Sequence, residues 1–131
     1  MTVRILIDDV RTFKDHRECK TARTPETGIK ALLAHQEQII DELWLDYNLS
    51  MRARGADPTI MPVIDHLVQV AHDGNPYNIT TIFVHTDNPV AGQKMEKALI
   101  ESGYSVVVHW ESSFEPVWGF TPRNLLVDDY L

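Results

Sequence analysis

Four short apolar runs that lack regular polar alternation constrain the fold of this chain more than any other feature. They occupy residues 3–7, 43–45, 79–84 and 104–108. Strands buried on both faces have this pattern, whereas strands with one solvated face alternate apolar and polar residues. A weaker fifth run, residues 18–23, predicts an edge strand.

Helical patterns lie between these runs. Thr24 followed by Pro25, and Asn88 followed by Pro89, are typical of helix starts, because the first residue caps free N–H groups and the proline fixes the first helical φ. Apolar residues at three- and four-residue spacing predict another helix over residues 60–71. The order of elements is therefore strand, loop, strand, helix, strand, helix, strand, helix, strand.

This order predicts an α/β fold, in which helices flank a five-stranded parallel sheet on both faces. Residues 10–17 are too few and too polar for a full crossover helix, so the first crossover helix is expected to be shortened or lost. We see no repeat or linker, which predicts a single domain over residues 1–131 with a core at about 3–109. Residues 110–131 form an aromatic, acidic tail, expected to be irregular and to pack on the core or extend from it.

The charge excludes some classes of partner. Twelve basic against 19 acidic side chains give a net charge of −7, and polyanions such as nucleic acid or an anionic membrane attract basic surfaces instead. The chain has no apolar run long enough to span a bilayer. Its single cysteine, Cys19, and the absence of a signal-peptide pattern favour a cytoplasmic protein.

Polar side chains follow the apolar runs at the points where strands are predicted to end. Asp8 and Asp9 follow the first run, Asp46 follows the run at residues 43–45, and His85 follows the run at residues 79–84. Open α/β sheets bind ligands at the carboxyl ends of their strands. Carboxylates that meet there repel one another and favour a cation, for which oxygen ligands suit Mg²⁺. We therefore predict a divalent metal site, with His85 as general acid or base.

Three further residues are expected to bind a small phosphate-containing ligand at the same edge. Arg11, Thr86 and the helix N-terminus at Asn88 would, with the metal, attract phosphate oxygens. Structural interpretations stay open for two residues. Asn88 before Pro89 caps a helix whatever its function. For His85 the alternative is a core histidine at a strand end, and the site interpretation is slightly favoured.

Three segments resemble response-regulator receiver domains and, more closely, the cyclic-phosphate processing receiver domain family. They are Ile7-Asp8-Asp9-Val10-Arg11, Leu45-Asp46-Tyr47-Asn48-Leu49 and His85-Thr86-Asp87-Asn88-Pro89. The resemblance implies a flavodoxin-type fold and metal-dependent binding or hydrolysis of a small cyclic phosphate ester, as in a cyclic phosphodiesterase or phosphatase. It implies metal ligation by Asp8, Asp9 and Asp46, catalysis by Asp46 and His85, and substrate binding by Arg11, Thr86 and Asn88.

The chain departs from the family pattern at two positions. Tyr47 stands where the family motif has histidine, and Asn48 where it has aspartate; tyrosine carries protons poorly at neutral pH. The lysine that follows the fifth strand of ordinary receivers is also missing. These departures favour an alternative, a catalytically degenerate interaction protein that binds a protein partner, or a second copy, through the aromatic tail. A receiver that is phosphorylated on Asp46 is a third alternative.

Overall fold

The computed structural model describes residues 2–49, 59–110, 118–120 and 127–131. The elements, numbered along the chain, are β1 (Arg4–Ile7), β2 (Arg11–Phe13), β3 (Lys20–Ala22), α1 (Pro25–Ala34), β4 (Ile39–Asp46), α2 (Met61–His72), β5 (Asn78–Thr86), α3 (Pro89–Glu101), β6 (Val106–Trp110) and β7 (Trp118–Phe120). Among these elements, no helix is long and apolar enough to cross a bilayer.

Five strands form the predicted parallel sheet, in the order β3-β1-β4-β5-β6. If the five strands of this sheet are numbered 1 to 5 along the chain, their spatial order is 2-1-3-4-5. This is the doubly wound order of flavodoxin-type folds. The weak run at residues 18–23 contributes β3 at one edge, as predicted. The predicted α/β class and parallel sheet are therefore confirmed.

Local sequence signals set the starts of two helices. The Thr24 Oγ1 atom accepts a hydrogen bond of 3.2 Å from the N–H of Thr27 at the start of α1. At the start of α3, Asn88 Oδ1 accepts one of 3.1 Å from the N–H of Ala91. Both helices have proline as their first residue, and this confirms the predicted starts. After α3 the chain turns at Gly103, whose φ of +95° lies in the left-handed region that glycine adopts without steric cost.

All three described helices pack on one face of the sheet. Alternate strand residues and the apolar sides of the helices share one core, whose members include Ile5, Ile7, Leu43, Leu45, Ile82 and Val84 from the sheet and Leu32, Val63, Ile64, Leu67, Met95 and Leu99 from the helices. The expectation of helices on both faces is therefore wrong for the part of the chain described. The connection from β1 to β3 contains the short strand β2 in place of a crossover helix.

An aromatic cluster covers part of the opposite face. The Trp44 ring stacks on Phe83 with a centroid separation of 4.2 Å, and Phe13 of β2 meets Trp44 edge-on at 5.2 Å. Leu6 also belongs to the cluster, and Cys19 packs against it. The strand that supplies Phe13 pairs antiparallel with β7. Among the described residues, a strand residue and not a helix therefore supplies this apolar contact.

The last five residues, 127–131, lie along the outer edge of β3. The N–H of Asp129 donates to the carbonyl oxygen of Thr21 over 2.8 Å, and the N–H of Thr21 donates to Asp129 Oδ2 over the same 2.8 Å. The Tyr130 ring meets His35 of the turn after α1 edge-on, with a centroid separation of 6.3 Å. This C-terminal segment therefore satisfies backbone groups of an edge strand that would otherwise need another partner.

Candidate functional site

Polar and charged residues occupy one crosswise row at the carboxyl ends of the sheet strands. The register pairs Asp46 with His85, and His85 with His109. Continued by one residue, the register of β1 with its two neighbours puts Asp8 between Arg23 and Asp46. Residues in one row of a parallel sheet point to the same face. The row therefore brings the side chains of Arg23, Asp8, Asp46 and His85 to one edge of the molecule, with His109 as the backbone register partner on the fifth strand.

Three members of this row form a compact buried group. Asp8, Asp46 and His85 each offer a ligand atom, and these atoms all lie within 4.8 Å of one another. The side chains of Asp8 and His85 are fully excluded from solvent, and Asp46 is 8% exposed. Ionised carboxylates are costly to bury unless they are hydrogen-bonded, paired or bound to a cation. The group is therefore a candidate cation site.

Hydrogen bonds fix the Asp8 carboxylate from two directions. His85 Nε2 donates to Asp8 Oδ2 over 3.0 Å. The other oxygen, Oδ1, accepts from the N–H groups of Val10 (3.0 Å) and Arg11 (2.8 Å). Burial by itself would raise the pKa of Asp8, but the hydrogen bond and charge of His85, together with the two backbone donors, lower it overall. Asp8 is therefore an anion at neutral pH and holds the His85 ring in place.

Asp9 is not a member of this compact group, although it is buried. The set predicted to bind metal was Asp8, Asp9 and Asp46; the set that the described residues bring together has His85 in place of Asp9. Asp9 lies in the turn directly after β1, beside Asp8. Adjacency in sequence made the two aspartates look equivalent, whereas the sheet register aligns only Asp8 with the other strand ends.

The three residues predicted to bind phosphate lie at the same edge of the sheet. Thr86 is buried at the end of β5, and its Oγ1 accepts a 3.0 Å hydrogen bond from the N–H of Asn88. Asn88 is exposed and caps α3, which confirms the helix-cap role predicted for it. Arg11 begins β2, and its N–H group is one of the two backbone donors to Asp8. These contacts are a backbone bond to Asp8 and local bonds at the start of α3, and substrate binding by the three residues stays a prediction.

The two departures from the family pattern lie outside the compact group. Tyr47 follows Asp46 by one residue and packs against the core on the helix-covered face. Asn48 is exposed and forms an isolated antiparallel bridge with Thr59. Because neither residue belongs to the group of Asp8, Asp46 and His85, the departures leave that group intact.

The sequence interpretation missed Arg23 as a residue of this edge. Its side chain is 3% exposed, and Nη1 donates to the carbonyl oxygen of Asp8 over 3.2 Å. One signal was available, because Arg23 is the last residue of the weak run at residues 18–23, and the other strands place polar residues at their carboxyl ends. The interpretation of that run as an edge strand leaves its last residue outside the predicted site.

The donor set suits a divalent cation. Ligands about 2.1 Å from a Mg²⁺ ion lie roughly 3–4 Å from one another, which agrees with atoms that all lie within 4.8 Å. Carboxylate oxygens favour Mg²⁺, Ca²⁺ or Mn²⁺, while imidazole nitrogen also suits Zn²⁺ and Fe²⁺. Asp8 and Asp46 would therefore be the ligands that hold Mg²⁺, and His85 would orient Asp8 or supply a third ligand atom.

The fold and this edge together define a receiver-like domain of flavodoxin type. The family model of the cyclic-phosphate processing receiver domain matches residues 3–101, and the chain therefore belongs to that family. Neither a curated protein nor a solved structure matches the sequence.

Proposed function

We propose that this protein binds a small cyclic phosphate ester, with a divalent metal ion, at the carboxyl edge of its sheet and hydrolyses it. The observation that carries the proposal is the buried group of Asp8, Asp46 and His85, drawn from three different strand ends. The family description, which names cyclic-phosphate processing, supports the substrate class.

Asp8 and Asp46 would hold the ion, which we take to be Mg²⁺. When bound, such an ion polarises a phosphoryl oxygen and lowers the pKa of water. Asp8 contributes a carboxylate whose orientation is set before any ligand arrives, because three hydrogen bonds already fix it. Asp46 is the more exposed of the two acids and would meet the substrate side of the site. Asp9, next to Asp8, would act as an outer acidic group.

His85 would move the proton that hydrolysis requires. Ring opening of a cyclic phosphate adds water across one P–O ester bond, so a proton leaves the water and another reaches the departing hydroxyl. The anionic Asp8 accepts a hydrogen bond from the Nε2–H group of His85. In the neutral ring the free lone pair is then on Nδ1, so Nδ1 is the nitrogen that would accept a proton. A carboxylate that orients a histidine and stabilises its charged form is a familiar device for general acid–base catalysis.

The start of α3 would attract the phosphate. This helix begins at Pro89, and two residues separate it from the end of β5 at Thr86, the neighbour of His85. A helix N-terminus carries partial positive charge and favours anions. Thr86 and Asn88 shape this turn, and Arg11 would add a positive charge on the opposite side of the group.

Turnover of a panel of cyclic nucleotides and cyclic sugar phosphates, with Mg²⁺ or Mn²⁺, tests the proposal. Asp46→Asn and His85→Ala should each lower turnover by about 10²-fold or more, as for loss of a catalytic acid or base. Asp41→Asn is the matched control, because Asp41 lies on the same strand and accepts a hydrogen bond from the N–H of Val3 (2.7 Å). No turnover of any substrate by the wild type, or equal activity in Asp46→Asn, would contradict the proposal.

Binding without turnover is the second candidate, and the departures at Tyr47 and Asn48 favour it. A catalytically degenerate domain of this kind would act by presenting a ligand-loaded surface to a protein partner. The second candidate predicts that calorimetry detects binding of a cyclic phosphate and that Asp46→Asn weakens this binding. It also predicts that the ligand is recovered uncleaved after incubation with the protein. Product formation with that ligand would exclude it.

A further inference from the structure

Arg23 is buried and bonded to backbone carbonyls on two sides. Its Nη1 atom donates to the carbonyl oxygens of Asp8 (3.2 Å) and Arg11, and its Nε atom donates to the carbonyl oxygen of Val127 (3.0 Å). Only 3% of the residue is exposed. A buried charge is costly unless its donors are satisfied, so these contacts explain how an arginine is tolerated here.

The contacts of Arg23 complete a turn that the Asp8 carboxylate begins. Asp8 Oδ1 accepts hydrogen bonds from the N–H groups of Val10 and Arg11. Arg23 binds the carbonyl oxygens of the first and last residues of the same turn, residues 8–11. The Asp8 carboxylate therefore binds N–H groups of the turn, while the Arg23 guanidinium binds carbonyl oxygens of the same turn.

The C-terminal segment, residues 127–131, forms hydrogen bonds with Arg23. Asp128 Oδ2 accepts hydrogen bonds from the N–H of Arg23 (2.9 Å) and from Thr27 Oγ1 (2.7 Å). The bond from the Arg23 N–H to Asp128 fixes the backbone of the arginine, and the bond from Arg23 Nε to the carbonyl of Val127 fixes its side chain. A continuous path of hydrogen bonds thus runs from the end of the chain to the Asp8–Arg11 turn.

We propose that Arg23 is a positioning residue, through which the docked C-terminal segment keeps the Asp8 carboxylate aligned with His85. The inference rests on the proposed function in so far as Asp8 is a metal ligand. Arginine suits this role because its planar fork reaches several carbonyl oxygens in fixed directions, whereas a lysine ammonium is a single point of charge on a flexible stem. Groups that orient a metal ligand typically change metal affinity by about 10- to 100-fold.

Amide hydrogen exchange in the full chain, followed by NMR, provides the first test. Arg23→Lys should speed exchange of the Val10 and Arg11 amides by about tenfold relative to the amide of Val84 in the sheet centre. The ring Nε2–H signal of His85 should also shift. Arg4→Lys is the matched control, since Arg4 pairs with Glu42 (2.8 Å) at the other end of β1; it should leave both signals unchanged. Equal acceleration at all three amides, or none, would overturn the inference.

Asp128→Ala provides the second test, because it removes the anchor of Arg23 while the arginine itself stays. It should reproduce the local acceleration at Val10 and Arg11 and weaken Mn²⁺ binding by about tenfold. If the wild type binds no Mn²⁺, the proposed function fails while the exchange result still decides the inference. If the wild type binds Mn²⁺ and both Arg23→Lys and Asp128→Ala bind it equally well, the positioning role is wrong and the proposed function stands.

Discussion

His85 Nε2 donates a 3.0 Å hydrogen bond to Asp8 Oδ2 across an intervening strand. The two residues belong to the ends of β5 and β1, and β4 lies between these strands. Strands two places apart are separated by about 10 Å, so both side chains must reach inward over the end of β4. Asp46 is located there, in register with both. The hydrogen bond therefore concentrates two carboxylates and an imidazole in one buried volume.

Substitution of His85 separates an orienting role from a ligand role. His85→Gln retains an amide that can donate to Asp8, so Mg²⁺ affinity should stay within about threefold if His85 only orients that carboxylate. His85→Ala should lower Mg²⁺ affinity by about tenfold and the free energy of unfolding by about 1–3 kcal/mol, because Asp8 loses a buried partner. Calorimetric titration and denaturant unfolding measure the two effects. A large loss of affinity in His85→Gln would instead identify His85 as a ligand.

Tyr47→Phe tests whether the first departure from the family pattern bears on chemistry. The Tyr47 ring packs against the core on the helix-covered face, and the ring is kept in phenylalanine. We expect turnover and cation affinity to stay within about twofold of the wild type, in contrast to the loss in Asp46→Asn. A fall in turnover comparable to that of Asp46→Asn would show that the Tyr47 hydroxyl takes part in the reaction.

Gly28→Ala tests the close packing of α1 on β1. A methyl group at Gly28 would lie 2.9 Å from Ile7 Cδ1 and 3.3 Å from Val63 Cγ2. Overpacking costs about 1–3 kcal/mol, which outweighs the helix-propensity gain of about 1 kcal/mol for alanine. Denaturant unfolding should therefore show a loss of about 1 kcal/mol. Ile7→Val should be less harmful in the Gly28→Ala background than alone, and additive effects would contradict the contact.

Alkaline unfolding should reveal the burial of Tyr77. Burial, with a smaller contribution from Tyr104, raises the pKa of Tyr77 to about 12. Because the folded pKa exceeds the unfolded value of about 10, the stabilisation is complete below about pH 10 and is lost as the pH rises towards 12. The ultraviolet tyrosinate titration should contain a late component near pH 12 that Tyr77→Phe removes. Ionisation of Tyr77 near pH 10 would contradict the burial argument.

Local sequence signals predicted much of the fold because they act over a few residues. Continuous apolar runs indicated doubly buried strands, and the pairs Thr24-Pro25 and Asn88-Pro89 indicated the starts of α1 and α3. The short, polar segment at residues 10–17 predicted the loss of the first crossover helix, but not that all three described helices pack on one face. That placement depends on the β1–β3 connection, which forms the strand β2 and contributes Phe13 to an aromatic cluster with distant residues.

The sequence by itself determined which side chains arrive at the carboxyl edge, because in a parallel sheet the residue after each buried run must emerge there. Only the tertiary structure decided which of them meet. Cross-strand register brought His85, and not Asp9, to Asp8 and Asp46. The docking of residues 127–131 fixed the Arg23 side chain in its position at the same edge. Both depend on contacts between residues far apart in the chain, on which local spacing carries no information.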